Sequence, residues 1–409
     1  MRIIFLLSIF FGFTFFSFAK DWPMFGGENG DFISDEKGLL KDWKDKDPEI
    51  LWKYKAGLGF SSVVECQGYA YSQGYSEGKN TIFCLDSSSG KLEWKKTYPC
   101  PIGDNYFKGG SRSTPIVADG SLYLLSHQGD FYCLDAISGK VKWSLSLVED
   151  LGGIRPTWGY ASSPLLYNDT IILNTGAEDG SIVGLDSSTG KVLWKTGHYP
   201  ASYSSILKRR NVEQFLLFHA EGVSLHDITN GMEIASYQHK TRYGINAAQP
   251  VEINRNFLVS SAYGKGTAFV DFSSTKPKAI WKSSKVASQI STPVSKDGFI
   301  YGIHGQAGAR SKFSTLFCMN SSNGKVIWQQ KGFGLGTIIL VDDTLVVLSD
   351  QGELALVEAT PIKYTELFRM QVLGGKENWI PPTYANGRMH CRSSDGDWVC
   401  LAMSEKEKI

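Results

Sequence analysis

Eight residues stand in settings suited to holding a ligand: Arg112, Trp158, Tyr160, Tyr203, Asn246, Gln249, Gln289 and Trp379. They lie in or beside long irregular tracts, such as EDLGGIRPTWGYAS (149–162), GHYPASYS (197–204) and HKTRYGINAAQ (239–249). Aromatic faces stack on flat or apolar groups, amides both donate and accept, and a guanidinium pairs with anions. The expected chemistry is recognition of a polypeptide or a small polar ligand, and no residue is assigned a catalytic role. The competing reading is that each side chain only fills a gap between neighbouring repeats.

Motifs for bond-making chemistry are missing. The sequence has no HExxH, no paired His at ligand spacing and no G-x-S-x-G elbow. Its seven His (127, 198, 219, 226, 239, 304 and 390) are scattered and read as surface or hydrogen-bonded core residues. The recurring G-K tracts are followed by no helix, and GFGLGT (332–337) lies between strands, so neither cradles a phosphate. No metal site is predicted. The seven Cys form no C-x-x-C pair. Cys84, Cys133 and Cys318 recur at one repeat position and read as small buried residues; a Cys391–Cys400 disulfide across a hairpin is the minor alternative, and the sequence leaves the disulfide status open.

The elements that position these residues come from a repeat. CLDSSSGKLEW (84–94), CLDAISGKVKW (133–143), GLDSSTGKVLW (184–194) and CMNSSNGKVIW (318–328) are one motif. Weaker copies mark Asp227, Asp271, Glu358 and Ala402, so successive marker positions fall 49, 51, 41, 44, 49, 38 and 44 residues apart. Such periods fit four-stranded propeller blades. The Asp and Gly of each motif (Asp86 and Gly90, Asp135 and Gly139, Asp186 and Gly190, then Gly324) predict a tight turn. Trp52, Trp94, Trp143, Trp194, Trp281 and Trp328 share one outer-strand position and read as wedges between blades.

The ends of the repeat set the count. EILWKY (49–54) is a fourth strand with no strands one to three before it, and residues 380–403 hold strands one to three with no fourth. The fold is therefore expected to be all-β: an eight-bladed propeller closed by Ile50–Tyr54 joining the C-terminal blade near Val399–Ala402. Closure removes exposed sheet edges. One face carries short regular turns (ADG, KDG, ANG) and the other the long tracts, so function is expected on the latter.

Residues 1–19 (MRIIFLLSIFFGFTFFSFA) join one Arg, an apolar run and a small-residue ending, the pattern of a cleaved secretory signal. No Cys follows the run, and no later segment is apolar enough to span a bilayer. The expected plan is signal 1–19, leader 20–49 with a short helical stretch near Glu36–Trp43, propeller 50–404 and tail 405–409. Lys+Arg 42 against Asp+Glu 41 leaves no basic block for nucleic acid or anionic lipid. A composition 42% hydrophobic and 20% charged excludes wholesale disorder, and 43 Gly with abundant aromatics suits many short strands.

The x-x-D-x-x-x-G-K-x-x-W motif resembles the tryptophan-docking repeat of the pyrroloquinoline-quinone-like propellers. The arrangement over residues 21–403, including the opening DWPMFGGENGD, resembles the exported non-catalytic relatives of the BamB type. The resemblance implies a scaffold with a protein partner in the cell envelope. The alternative it implies is a quinoprotein dehydrogenase, which holds its quinone over calcium and commonly stacks it on adjacent cysteines. No adjacent Cys pair exists here, and the acidic loop residues Asp104, Asp130, Glu178 and Asp350 match no calcium pattern. No cofactor is therefore expected outside that alternative.

Overall fold

The computed structural model describes residues 20–43, 47–103, 106–308 and 311–404. Eight antiparallel sheets, each contributing four strands, form a ring. In chain order the blades begin at the innermost strands Val64–Cys66, Ile116–Ala118, Leu165–Tyr167, Leu207–Lys208, Val251–Ile253, Val294–Lys296, Thr337–Val341 and Thr383–Ala385. We number them blade 1 to blade 8. Second strands are largely buried on both faces, as in Ser121–Leu125, because each blade packs between two others. Outer strands such as Val141–Ser146 are mostly exposed or half-buried.

The repeat motif joins one blade to the next. Asp86 Oδ1 accepts the Ser88 and Ser89 N–H groups at 3.2 and 2.8 Å, which folds the turn back on itself. Gly90 then has φ +70°, and a Cβ there would lie 2.5 Å from the Trp52 ring. Glycine is required twice, by the backbone and by the indole seated on it. The same seating puts Trp94 on Gly139, Trp143 on Gly190, Trp194 on Gly231 and Trp281 on Gly324. Trp52, Trp94, Trp143, Trp281 and Trp328 donate their indole N–H to a carbonyl of the next blade at 2.8–3.0 Å. Trp194 has no such acceptor among the described residues.

A second girdle runs nearer the axis. Two residues before its innermost strand, Ser62 donates its N–H to Thr114 Oγ1 (3.0 Å), Thr114 to Ser163 Oγ (3.0 Å) and Ser163 to Ser205 Oγ (2.9 Å). Gln249 donates likewise to Thr292 Oγ1 at 3.0 Å. Each hydroxyl thus satisfies a buried N–H of the preceding blade. The ring closes as expected: Ile50–Lys55 pairs antiparallel with Asp397–Ala402, placing Trp52 opposite Cys400.

One expectation and one alternative fail. Residues 36–43 form no helix. The leader turns tightly over residues 24–32 and then runs extended beneath the ring, where blade edges take its backbone groups. Ile33–Ser34 pairs in parallel with Leu340–Val341, and Leu40 N–H donates to Met403 O at 2.8 Å. No disulfide joins Cys391 and Cys400. Their register pairs Cys391 with Val399 and Cys400 with His390, which sends the two thiols to opposite faces of the blade. All seven Cys are free, and six are buried. The expected signal at 1–19, the tail at 405–409 and Asp104 lie outside the described residues. No helix among the described residues is long and apolar enough to cross a membrane.

Candidate functional site

The long connections between blades converge on one end of the central channel. Residues just ahead of the innermost strands face the axis there: Phe60, Arg112, Ala161, Tyr203, Ala247, Gln289 and Pro381. With neighbouring side chains they line a cavity that opens at this end. Its floor is the leader. Phe25 and Phe32 meet edge to face at 4.9 Å and line the cavity from below.

The leader is held there by several blades. Gln249 stands where the girdle elsewhere has Ser or Thr, and its Nε2 donates to Gly30 O at 2.6 Å. Val117 N–H donates to Pro23 O at 2.9 Å. Glu36 accepts the N–H groups of Asn386 (2.9 Å) and Gly387 (2.6 Å). Asp31 pairs with Arg210. Burial raises the Asp31 and Glu36 carboxyls above their ordinary range, opposed by Arg210 at Asp31 and by backbone N–H donors at Glu36.

The wall is mostly aromatic. Trp379 stacks on Phe60 with ring centroids 5.7 Å apart and planes 20° apart, and Phe107 meets Trp379 edge-on at 5.3 Å. The Arg112 guanidinium lies 5.0 Å from the Phe60 centroid. Across the opening, Trp158 and Tyr203 are 5.6 Å apart, and the Trp158 N–H donates to the Tyr203 hydroxyl at 3.4 Å. Gln289 is fixed by both ends of its amide: Nε2 donates to the Tyr263 hydroxyl at 3.1 Å, and Oε1 accepts the Ala307 N–H at 2.8 Å. Arg112 is the charged residue of the wall, and no carboxylate lines it among the described residues.

Five of the eight expected site residues therefore come together: Arg112, Trp158, Tyr203, Gln289 and Trp379. Three point elsewhere. Tyr160 is buried and donates its hydroxyl to Thr175 O at 2.9 Å. Asn246 is buried, donating to the carbonyls of His219 (2.7 Å) and His239 (3.2 Å) and accepting from Ser261 Oγ at 2.6 Å. Gln249 anchors the leader. Sequence reasoning missed Phe25, Phe32, Phe60, Phe107 and Tyr263. The leader pair had a signal of its own, two aromatics in the Gly-rich stretch MFGGENGDF that has no place in the repeat.

The architecture has solved counterparts. BamB from Moraxella catarrhalis superposes with a TM-score of 0.63 at 13% identity, covering 87% of this chain and 100% of that one. A europium-containing methanol dehydrogenase gives 0.69 at 11% identity, covering 93% and 89%. The quinohemoprotein alcohol dehydrogenase from Comamonas testosteroni gives 0.66 at 14% identity, covering 95% and 81%. At these identities the likeness is one of fold. No curated protein matches the sequence.

A quinone held over calcium would need six to eight converging oxygens, usually including carboxylates. The cavity wall offers the Gln289 amide and the hydroxyls of Tyr203, Ser205, Tyr263, Ser291, Thr292 and Thr337, without an acid among the described residues. Asp350 is turned to the Leu335 N–H at 3.0 Å, and Asp130 to Ser126 Oγ at 2.7 Å. No group of three or more His, Cys, Asp or Glu able to hold a metal ion occurs among the described residues. The residues present do not fit a calcium-held quinone. Residues 103–330, more than half of the chain, match the family described as outer membrane protein assembly factor BamB, and the protein belongs to that family.

Proposed function

We propose that the protein is exported and works without catalysis, as a propeller scaffold of the cell envelope. It binds a protein partner or a small polar ligand at the mouth of its channel. The observation that carries this reading is the wall of that cavity: aromatic rings, one guanidinium and one satisfied amide, without an acid–base pair or a carboxylate to hold a metal among the described residues. The family match supports an envelope partner. The residue pattern of 1–19 supports export.

The second reading is a quinone- and calcium-dependent dehydrogenase, a class whose fold this chain shares with several structural neighbours. One experiment separates them. The purified protein is incubated with pyrroloquinoline quinone and calcium, then followed by retained quinone absorbance and by dye reduction with alcohols and sugars. The scaffold reading expects neither stoichiometric retention nor reduction. Both together would replace it with the dehydrogenase.

A further inference from the structure

The aromatic surface does not stop at the cavity. Tyr106 is 77% exposed and meets Phe107 edge-on at 4.9 Å. Tyr243 is 59% exposed and meets Tyr263 edge-on at 5.3 Å. Phe107 and Tyr263 both line the cavity, so each exposed tyrosine continues its wall outward. Ile154, 52% exposed, stands on the same connection as Trp158. Phe313, 62% exposed, stands on the connection that sends Ala307 into the wall. Exposed rings contiguous with an apolar cavity mark a contact surface. A small ligand would fill the cavity and leave these outer rings wet; a macromolecule covers both.

Three cations of this surface are set against rings, and Glu377, half-buried two residues before Trp379, lies near Lys108. Arg112 lies over Phe60, Arg242 lies 5.3 Å from the Tyr243 centroid, and Lys312 lies 5.2 Å from that of Phe313. Each cation is set against a ring at or beside the opening. Asp395, a carboxylate near the blade 8 side, is already paired with Lys108 at 2.8 Å. The cavity wall itself has no acid among the described residues.

We propose that the mouth receives a polypeptide loop whose aromatic side chain enters the cavity and whose flanking carboxylates meet Arg242 and Lys312. The inserted ring lies among Trp158, Tyr203 and Trp379 and ends on the Phe25–Phe32 floor. Tyr106 and Tyr243 cover the loop on either side. This assignment rests on the scaffold reading and adds the chemistry of the partner.

The test uses the purified protein and a dye-labelled blocked peptide, acetyl-Glu-Asp-Trp-Asp-Glu-amide, followed by fluorescence anisotropy. Two controls replace its Trp by Ala, or its four acids by Lys and Arg. The acidic Trp peptide should bind at least about tenfold more tightly than either control. Ala247→Trp, which fills the cavity, and Tyr243→Ala, which trims an exposed ring, should each weaken it by about tenfold or more. Arg242→Glu combined with Lys312→Glu should reverse the preference toward the basic peptide. The rim variants change exposed side chains, so they report even where the filled variant does not fold. Equal binding of the Ala peptide, no binding of any peptide, or full affinity in Tyr243→Ala would each overturn the proposal. The scaffold reading would survive those results, because the quinone retention and dye reduction assays decide it separately.

Discussion

Glu65 Oε2 lies 2.6 Å from His390 Nε2, with both side chains buried where the last blade meets the first. Arg388 pairs with the same carboxylate, and Asn386 Nδ2 donates to it at 2.9 Å. Burial opposes the charge on Glu65, yet His390 and Arg388 hold its carboxyl down at about 2. Burial likewise opposes the imidazolium of His390, but neighbouring Cys400 and Glu65 raise it to about 10. A depressed acid stabilises above its ordinary value of 4.5 and loses that contribution as pH falls toward 2. A raised histidine stabilises below 6.5 and loses that contribution as pH rises toward 10. The ring-closing seam is therefore strongest between those two ordinary values. Glu65→Ala leaves buried His390 and half-buried Arg388 without their carboxylate and should cost about 3–5 kcal/mol in urea unfolding at pH 6. A variant within 1 kcal/mol of the parent would mean the seam does not depend on this pair.

The indole wedges are not equivalent, and phenylalanine substitutions expose the difference. Trp143 rests on Gly190 and donates to Ser187 O at 2.9 Å, whereas Trp194 rests on Gly231 without an acceptor. Trp143→Phe loses packing and a hydrogen bond; Trp194→Phe loses packing and relieves an orphaned donor. The first should cost about 1 kcal/mol more than the second. Trp143→Ala should cost about 3–5 kcal/mol. Gly190→Ala should also destabilise, since its φ is +73° and a Cβ would lie 2.6 Å from the ring of Trp143. Thermal melts of the four variants measure this, and equal losses for the two Phe variants would contradict it.

Acid should loosen blade 4 first. His219 and His239 are buried, and Nε2 of each has no hydrogen-bond partner among the described residues. Burial pushes both to about 3, with His226 and His198 adding to the effect at His219, and Lys265 and Lys282 at His239. The folded chain then binds fewer protons than the unfolded one between pH 6.5 and 3, so stability falls across that window as pH drops. His239→Phe should flatten the slope by up to one proton equivalent, read from unfolding free energy against pH. An unchanged slope would show that His239 takes up its proton without unfolding.

The repeat made the blades, the count and the closing strand legible, because marker Asp, Gly and Trp recur at blade period. Side-chain direction ahead of the innermost strands was not legible. Asn246 and Ala247 are consecutive, yet the first is locked under blade carbonyls while the second lines the cavity. Trp158 faces the opening and Tyr160, two residues on, packs inward. Those directions depend on irregular backbone that carries no periodic pattern. The leader was illegible for a different reason: nothing repeats in it, and its partners lie hundreds of residues away, as in Asn386 N–H to Glu36.

Removal of the leader tests its part in the fold separately from ring closure. Trp22, Phe32 and Leu39 are each buried against the ring, and burial of such side chains contributes roughly 1.5–3 kcal/mol apiece. The leader's backbone also pairs with blade 1 at Trp22–Glu65 and with blade 7 at Ile33–Leu340. A chain lacking residues 1–43 keeps Ile50–Lys55 and hence the closed ring, but loses the cavity floor. A chain lacking residues 1–55 loses the closing strand as well, leaving Asp397–Ala402 with one partner strand instead of two. Thermal midpoints should therefore fall in the order chain from Lys20, shorter deletion, longer deletion. The shorter deletion should also admit solvent to Trp158 and Trp379 from below, seen as stronger acrylamide quenching of tryptophan fluorescence. A shorter deletion that melts and quenches like the chain from Lys20 would show that Phe25 and Phe32 neither floor the cavity nor hold the ring.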